Sequence, residues 1–424
     1  MADPDGPPPA APPLGRRPLA LLFVGSVVPP SFDADHPAAR SPTIDIQRNL
    51  LAGLRDQGLT PERILSTLPV RRFPFDRRLW LWRPPLAYFP GVALHFLGLV
   101  NVEPLKTLTI GVHGLLHSVV WALGQWGRGR RPVFFLYNLG PTHHQVLFFW
   151  LAARLTGARF LALVTDVIPP TNRNPFAWLS FGTQTLGLKW LDGFVALNQN
   201  VIRDFGRQHP CVALQGLVPD DGLALRLAQL PVATPGPQAP LVMAYLGSLN
   251  RARGVDLLPE LLAGLPADCR LIVAGRGPLE PLIRAAAARD PRLDFRGFLA
   301  QPDEIVAVIR DATCLLNPHR LDDPGARYVF PSKLTEYLAS GRPVVSTTQG
   351  NVAAIYGEYV WLAAADDAAA LRAAVLALRQ TPPDAVRQRV TAARTYVLAH
   401  KLWRHHAPAI ARFIRQVGAS QADG

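Results

Sequence analysis

Lysine and cysteine are both scarce in this chain. Four lysines stand in 424 residues: Lys106, Lys189, Lys333 and Lys401. The three cysteines, Cys211, Cys269 and Cys314, lie far apart and none has CxxC spacing. Neither a disulfide framework nor a zinc site is suggested, and a reducing, cytosolic setting fits. Charge is thin as well, at 18% against 49% hydrophobic residues, which excludes a disordered protein and supplies large buried cores. No basic helix with interleaved aromatics, RNP-like strand pair or zinc-finger spacing is present, so nucleic acid is not expected as a partner. The net charge of +13 is almost all arginine. It points to an anionic membrane surface, to phosphate-bearing substrates, or to nothing more than a GC-rich genome's codon bias. Residues 1–13 have no basic n-region and are expected to be a disordered tail. The run Leu19–Pro30 is too short to span a bilayer and reads as a buried first strand.

Length favours two large domains. From Leu19 to about Cys211 strands alternate with helices: Leu19–Val28, Thr43–Gln57, Pro132–Asn138, Gln145–Leu155, Arg159–Asp166, Trp178–Leu188 and Gly193–Asn198. Residues 222–240 end in P-V-A-T-P-G-P-Q-A-P and read as a linker. A second α/β series then runs from Leu241 to Ser346, and Val390–Val417 is helical, anchored by Tyr396, Leu402, Trp403, Ile410 and Phe413. Short apolar runs separated by helices indicate parallel sheets covered on both faces. The expected architecture is α/β, two Rossmann-like doubly wound domains at 14–235 and 236–385 facing each other across a cleft, with a helix at 386–424 packing back across both.

Within the first domain, 79–126 reads as an insertion. It holds L-W-L-W at Leu79–Trp82, the uncharged run Leu86–Val100, and Leu105–Trp126, whose only charge is Lys106. Arg71, Arg72, Arg77 and Arg78 precede it, and Arg128, Arg130 and Arg131 follow. Two readings stand: in-plane membrane attachment with tryptophans near headgroups, or a pair of buried core helices. His113, His117, Gly111 and Gly114 make Leu105–Trp126 a poor membrane-spanning helix.

The densest chemistry lies in F-P-S-K-L-T-E-Y-L-A-S-G-R-P-V-V-S-T, Phe330–Thr347. Pro331 and Ser332 mark a helix start and Gly341 its end. Free N–H groups at a helix N-terminus, with Lys333 beside them, suit an anion, and Glu336 lies on the same face. A cation plus a carboxylate is how a nucleotide's phosphates and ribose are held. By itself the pattern is equally a helix cap with a solvated Lys–Glu pair.

Taken with L-G-S-L-N-R-A-R-G-V-D (Leu246–Asp256), I-V-A-G-R-G-P-L (Ile272–Leu279) and F-R-G-F-L (Phe295–Leu299), this stretch resembles the C-terminal domain of retaining GT-B glycosyltransferases, family four, in its polysaccharide-assembly branch. The resemblance covers about 241–365. It implies that Gly247 lets backbone approach donor phosphates, that Arg253 and Lys333 neutralise the diphosphate, and that Glu336 holds the ribose. Ser332 and Leu334 belong to the same phosphate loop, and Phe298 and Leu299 to the segment receiving the nucleobase. Ser248 falls where many members carry a second arginine, Arg276 where an acidic residue is common, and Tyr328 where a glutamate often stands eight residues before Glu336. His319, Arg320, Asp322 and Asp323 are then candidates for sugar contacts, or a solvated loop.

On the N-terminal side, Thr165 and Asp166 end a strand facing the expected cleft, with Asp166 either orienting a sugar hydroxyl or capping a turn. Gly25 and Ser26 begin a loop facing the donor. Asn138, Gly140, His143 and His144 are placed to line the same cleft. The D-x-D at Asp33 and Asp35 is taken as coincidence, and neither metal nor cofactor is expected. Gly275–Gly277 fails as a dinucleotide fingerprint because Pro278 and Glu280 break it.

The reaction implied is metal-independent transfer of a sugar, with retention, from a nucleotide-diphosphate sugar to a glycan or polyprenyl-linked acceptor at the cytoplasmic face of a membrane. A GT-B nucleotide-sugar epimerase and a non-catalytic membrane-surface component of a polysaccharide assembly complex are the alternatives.

Overall fold

The computed structural model describes residues 17–32, 42–68, 70, 73–74, 76–139, 145–170, 175–206, 208–236 and 239–420. The expected tail 1–13 and Asp33, Asp35, Arg71, Arg72, Gly140, His143 and His144 lie outside the described residues.

Strands β1 (Leu19–Gly25) and β2 (Arg63–Ser66) open the first sheet. The stretch near residues 80–100 supplies β3 (Trp80–Leu81), β4 (Leu86–Phe89), β5 (Val92–Phe96) and β6 (Leu99–Val100). After the helix Leu105–Gly127 come β7 (Arg131–Tyr137), β8 (Arg159–Val164), β9 (Gly193–Ala196) and β10 (Cys211–Ala213). Eight of these form one sheet in the order β10-β9-β8-β7-β1-β2-β5-β4, parallel except where β4 turns back on β5. The central strands are continuous aliphatic and aromatic runs because both faces are covered: L-A-L-L-F-V-G and R-P-V-F-F-L-Y are buried almost throughout.

The segment 79–126 is therefore not a pair of helices. Its uncharged first run makes β4 and β5, which complete the sheet edge, while β3 and β6 form a small antiparallel pair. A short apolar run without charges serves a buried strand as well as a buried helix, and only pairing with β2 decides between them. The second run is a single helix. Ile110, Gly111, Gly114, Ser118 and Trp121 face inward, whereas Leu108, Val112, Leu116, Val120 and Leu123 face out. Gly111 and Gly114 have a packing reason: the rings of Phe148 and Phe149, on the helix Val146–Thr156, occupy the space a Cβ would need. Helix Pro175–Trp190 lies alongside, with Trp150 and Trp190 stacked at 4.7 Å.

The second sheet is wholly parallel: β11 (Leu241–Leu246), β12 (Cys269–Ala274), β13 (Leu293–Phe295), β14 (Cys314–Asn317), β15 (Val344–Ser346) and β16 (Trp361–Leu362), in the order β13-β12-β11-β14-β15-β16. The expected linker holds a helix, Asp221–Leu227, whose Asp220 side chain caps it through the N–H groups of Gly222 and Leu223, and Leu223 and Leu227 are buried. Two helices end the chain. Pro383–His400 lies on the second domain, and Trp403–Ala419 crosses to the first, where Ala407 sits on Gly53 and Arg131 donates to the Ala419 carbonyl at 2.7 Å. Lys401, at the crossing, is buried and donates to the carbonyls of Leu214 (3.3 Å) and Gln215 (3.1 Å).

Candidate active site

The site is assembled where the carboxyl ends of both sheets meet. In the second domain, β11 runs out at Leu246 and the chain turns through Gly247 and Ser248. Tyr337, from the helix Ser332–Ala339, fixes that turn: its buried hydroxyl accepts from Leu246 N and donates to Leu246 O, both at 2.9 Å. Burial pushes this phenol well above its ordinary pKa, so it stays a donor. Tyr245 closes the turn by donating to Ser248 O at 2.8 Å. Gly275 and Gly277 pack so closely on Gly247 and Leu249 that a Cβ at either would overlap a backbone oxygen. Leu249 N bonds Arg276 O, and Gly275 N bonds Gly297 O, so the loops bearing Gly247, Arg276 and Phe298 are tied together.

Asn250 caps the next turn by accepting from Arg253 N at 3.0 Å. Gly254, with φ of +69°, lies under the Pro318 carbonyl, and Arg320 N bonds Ala252 O at 3.1 Å. These backbone contacts seat Arg253 against His319: Arg253 Nη1 lies 3.1 Å from Nδ1 of the ring. Burial, then the Arg253 charge, holds His319 well below the usual imidazole range, so the ring is neutral and accepts from the guanidinium.

The helix Ser332–Ala339 begins beside this turn. Lys333 Nζ bonds Glu336 Oε2 at 2.6 Å, and Glu336 is buried while Lys333 is 30% exposed. Leu334 departs from its expected role: its side chain is fully buried, and its N–H donates to Pro331 O at 2.8 Å. At the rim, Arg276 lies over the Phe298 ring, 4.2 Å from the centroid, with Phe298 exposed and Leu299 half-buried beside it.

From the first domain, Asp166 follows β8 and faces Arg253. Burial raises its carboxyl above the ordinary range and the Arg253 charge pulls the other way. Gln184, buried on the helix Pro175–Trp190, holds the loop by donating to Asp166 O at 2.7 Å. Gly25 is placed otherwise than expected. It is buried, with the Gln47 side chain against it and Gln47 Oε1 accepting from Ser26 N at 2.9 Å, so it shapes the loop without presenting a surface. Asn138 follows β7 in a left-handed conformation, φ 51°.

Three further candidates are occupied within the protein. Asp322 pairs with Arg251 at 2.6 Å, and Asp323 caps the turn Pro324–Arg327. Arg320 donates to Asp366 O at 2.7 Å and lies among Asp256, Asp322 and Asp366. Of that loop, His319 alone of the four expected residues stands against Arg253. Tyr328 donates to Asp204 of the first domain at 3.1 Å, and Arg327 pairs with the same carboxylate. Asn198 and Asn200 donate to Arg327 O at 3.1 and 2.9 Å. Sequence reasoning passed over Tyr337, Gln184 and this interdomain clasp. Tyr337 alone had a signal, since it lies four residues after Lys333 on the same helical face. A cavity of about 550 Å³ between the helices Gln199–Phe205 and Val352–Tyr356 is lined by Gln199, Asn200 and Asn351, not by the donor-site candidates.

Residues 240–381 match the family described as Glycosyl transferases group 1. The chain is 28% identical over 169 residues to a putative colanic acid biosynthesis glycosyltransferase, WcaL, of Salmonella typhimurium, covering 38% of this chain and 41% of that protein. It is 29% identical over 108 residues to a GDP-mannose-dependent alpha-(1-6)-phosphatidylinositol dimannoside mannosyltransferase of Mycobacterium tuberculosis, covering 25% and 26%. The matches thus span less than half of either relative's length. Among solved structures, sucrose-phosphate synthase of Thermosynechococcus elongatus superposes with a TM-score of 0.63 at 16% identity, over 96% of this chain and 100% of the other. Anabaena HepE in complex with UDP gives 0.62 at 13%, over 94% and 100%. The chain has the GT-B fold, and residues 240–381 of its second domain match the glycosyl transferases of group 1.

Proposed function

We propose that this protein is a glycosyltransferase that moves a sugar, with retention, from a nucleotide-diphosphate sugar to a glycan or lipid-linked acceptor in polysaccharide assembly. The observation that carries this is the pairing of Arg253 with neutral His319, opposite Asp166 of the other domain. The names of the Salmonella and Mycobacterium relatives, and the UDP in the HepE structure, support the same reading.

Arg253 and Lys333 hold the diphosphate, with N–H groups at the start of the helix Ser332–Ala339 adding to their field. Lys333 has three donors, so it keeps Glu336 oriented while reaching phosphate, and Glu336 accepts from the ribose. Phe298, Leu299 and Arg276 receive the base, and His319 accepts from a sugar hydroxyl or from Arg253. The acceptor oxygen bonds the anomeric carbon as the bond to the diphosphate breaks, and the departing phosphate oxygen takes the acceptor's proton. Asp166 orients that hydroxyl. No metal is needed, because two cations already neutralise the leaving group. The acceptor's lipid places the reaction at the cytoplasmic face of a membrane.

A thermal-shift screen against uridine, guanosine and adenosine diphosphates and their sugars, with and without chelator, tests this. The expected result is a rise of a few degrees with one nucleotide, insensitive to chelator and lost in Lys333→Ala and Glu336→Ala. A flat response from folded protein rejects the enzyme in favour of a non-catalytic surface component.

A further inference from the structure

Three helices of the first domain, 105–127, 146–156 and 175–190, lie side by side on one face of the sheet, with their inward residues packed on each other and on the strands. Their outward residues are apolar and uncovered: Leu116 is 57% exposed, Val120 68%, Leu155 66% and Trp178 56%. Contiguous apolar surface of this extent is uncommon on a soluble monomer and marks a contact surface. The three helices contain no aspartate or glutamate at all, and their only charged residues are Lys106, Arg154 and Lys189.

We infer that this three-helix face is a platform on which the protein lies against an anionic lipid bilayer, without crossing it. Charge complementarity selects lipid over a protein partner: a chain of net charge +13 presents an acid-free apolar face whose ends carry the exposed Arg128, Arg154 and Lys189. Trp80 and Trp82, 59% and 61% exposed, flank the start of the first helix, as interfacial tryptophans do. Trp82 lies beside Gly98 and His113, and the strand carrying Trp80 pairs with β6, which is tied to that helix by Val100 N donating to Thr109 Oγ1 at 3.1 Å. Crossing is ruled out by packing. To span the bilayer, helix 105–127 would have to abandon the Phe148 and Phe149 contacts and expose buried Ser118 and Gln125.

The platform reaches the site. Gln184 of its third helix holds the Asp166 carbonyl, and Ile168, two residues on, is 57% exposed. Docking would set Asp166 at the bilayer edge, where the head of a lipid-linked acceptor arrives; this consequence, though not the docking itself, rests on the proposed function.

Flotation of the full chain with vesicles tests the inference. The expected result is recovery with phosphatidylcholine–phosphatidylglycerol vesicles, weak recovery with phosphatidylcholine alone, and loss of about tenfold or more in affinity for Val120→Glu/Leu155→Glu. That variant should keep its circular dichroism and its nucleotide-induced thermal shift, which separates failure of docking from failure of the donor site. Equal binding by the variant overturns the platform, as does the absence of wild-type binding to anionic vesicles. A wild-type dimer that the variant renders monomeric assigns the face to a second copy of the chain instead, and equally overturns it.

Discussion

Replacing Lys333 by alanine removes one cation and orphans one carboxylate, and the two effects are separable. Glu336 is 3% exposed and its Oε2 lies 2.6 Å from Lys333 Nζ, with Lys333 30% exposed. Breaking a fully buried pair from one side costs about 3–5 kcal/mol. Partial exposure of the lysine lowers that here to about 2–3 kcal/mol, or roughly 5–10 °C in melting temperature. Glu336→Gln costs less, about 0–1 kcal/mol, because the amide oxygen still accepts from the lysine. The double variant Lys333→Ala/Glu336→Gln should then recover about 1–2 kcal/mol relative to the sum of the singles. Urea unfolding of the four proteins measures this coupling. Calorimetric titration with the nucleoside diphosphate found in the screen measures the other effect: losing one charge-assisted contact weakens binding by about 10–100-fold. Additive stabilities together with an unchanged nucleotide affinity in Lys333→Ala would refute the reasoning, since Lys333 would then hold neither Glu336 nor phosphate.

Tyr337→Phe leaves both the N–H and the C=O of Leu246 without their partner, so a loss of about 1–3 kcal/mol is expected in denaturant unfolding, with weaker nucleotide binding because the Gly247 turn loosens. Gly254→Ala forces a left-handed backbone and a clash with the Pro318 carbonyl; calorimetry should show at least about 2 kcal/mol of destabilisation. Asp166→Asn should cut kcat strongly while leaving donor affinity within a few-fold, and it should remove the acid limb of the rate profile, which burial sets above the ordinary carboxylate range. Burial lowers Lys401 from 10.5 to about 8, so between those values the unfolded chain keeps a proton that the folded chain releases. Stability therefore gains from rising pH across that window, by up to about 3 kcal/mol from this group, and Lys401→Met should flatten the rise.

The parts of the site written in consecutive residues were legible because their cause is local. A helix N-terminus with Ser332 and Lys333, a carboxylate one turn on, and glycine at the ends of β11 and β12 are decided by backbone geometry over a few residues. The alternation of apolar runs with helices likewise gives two parallel sheets, since strands buried on both faces need no polar alternation. What tertiary structure decided is the partner of each side chain. Asp322, Asp323 and Arg320 read as sugar contacts until Arg251, the Pro324 turn and Asp366 are seen to occupy them. Leu86–Val100 and Leu105–Trp126 look alike as apolar runs, yet β2 draws the first into the sheet and Phe148 and Phe149 set the second on its surface. Hydrophobicity says that a residue will be covered or will dock, while pairing across long sequence separations says against what. That pairing places Tyr337 beneath Leu246 and Arg253 before Asp166, and no local pattern carries it.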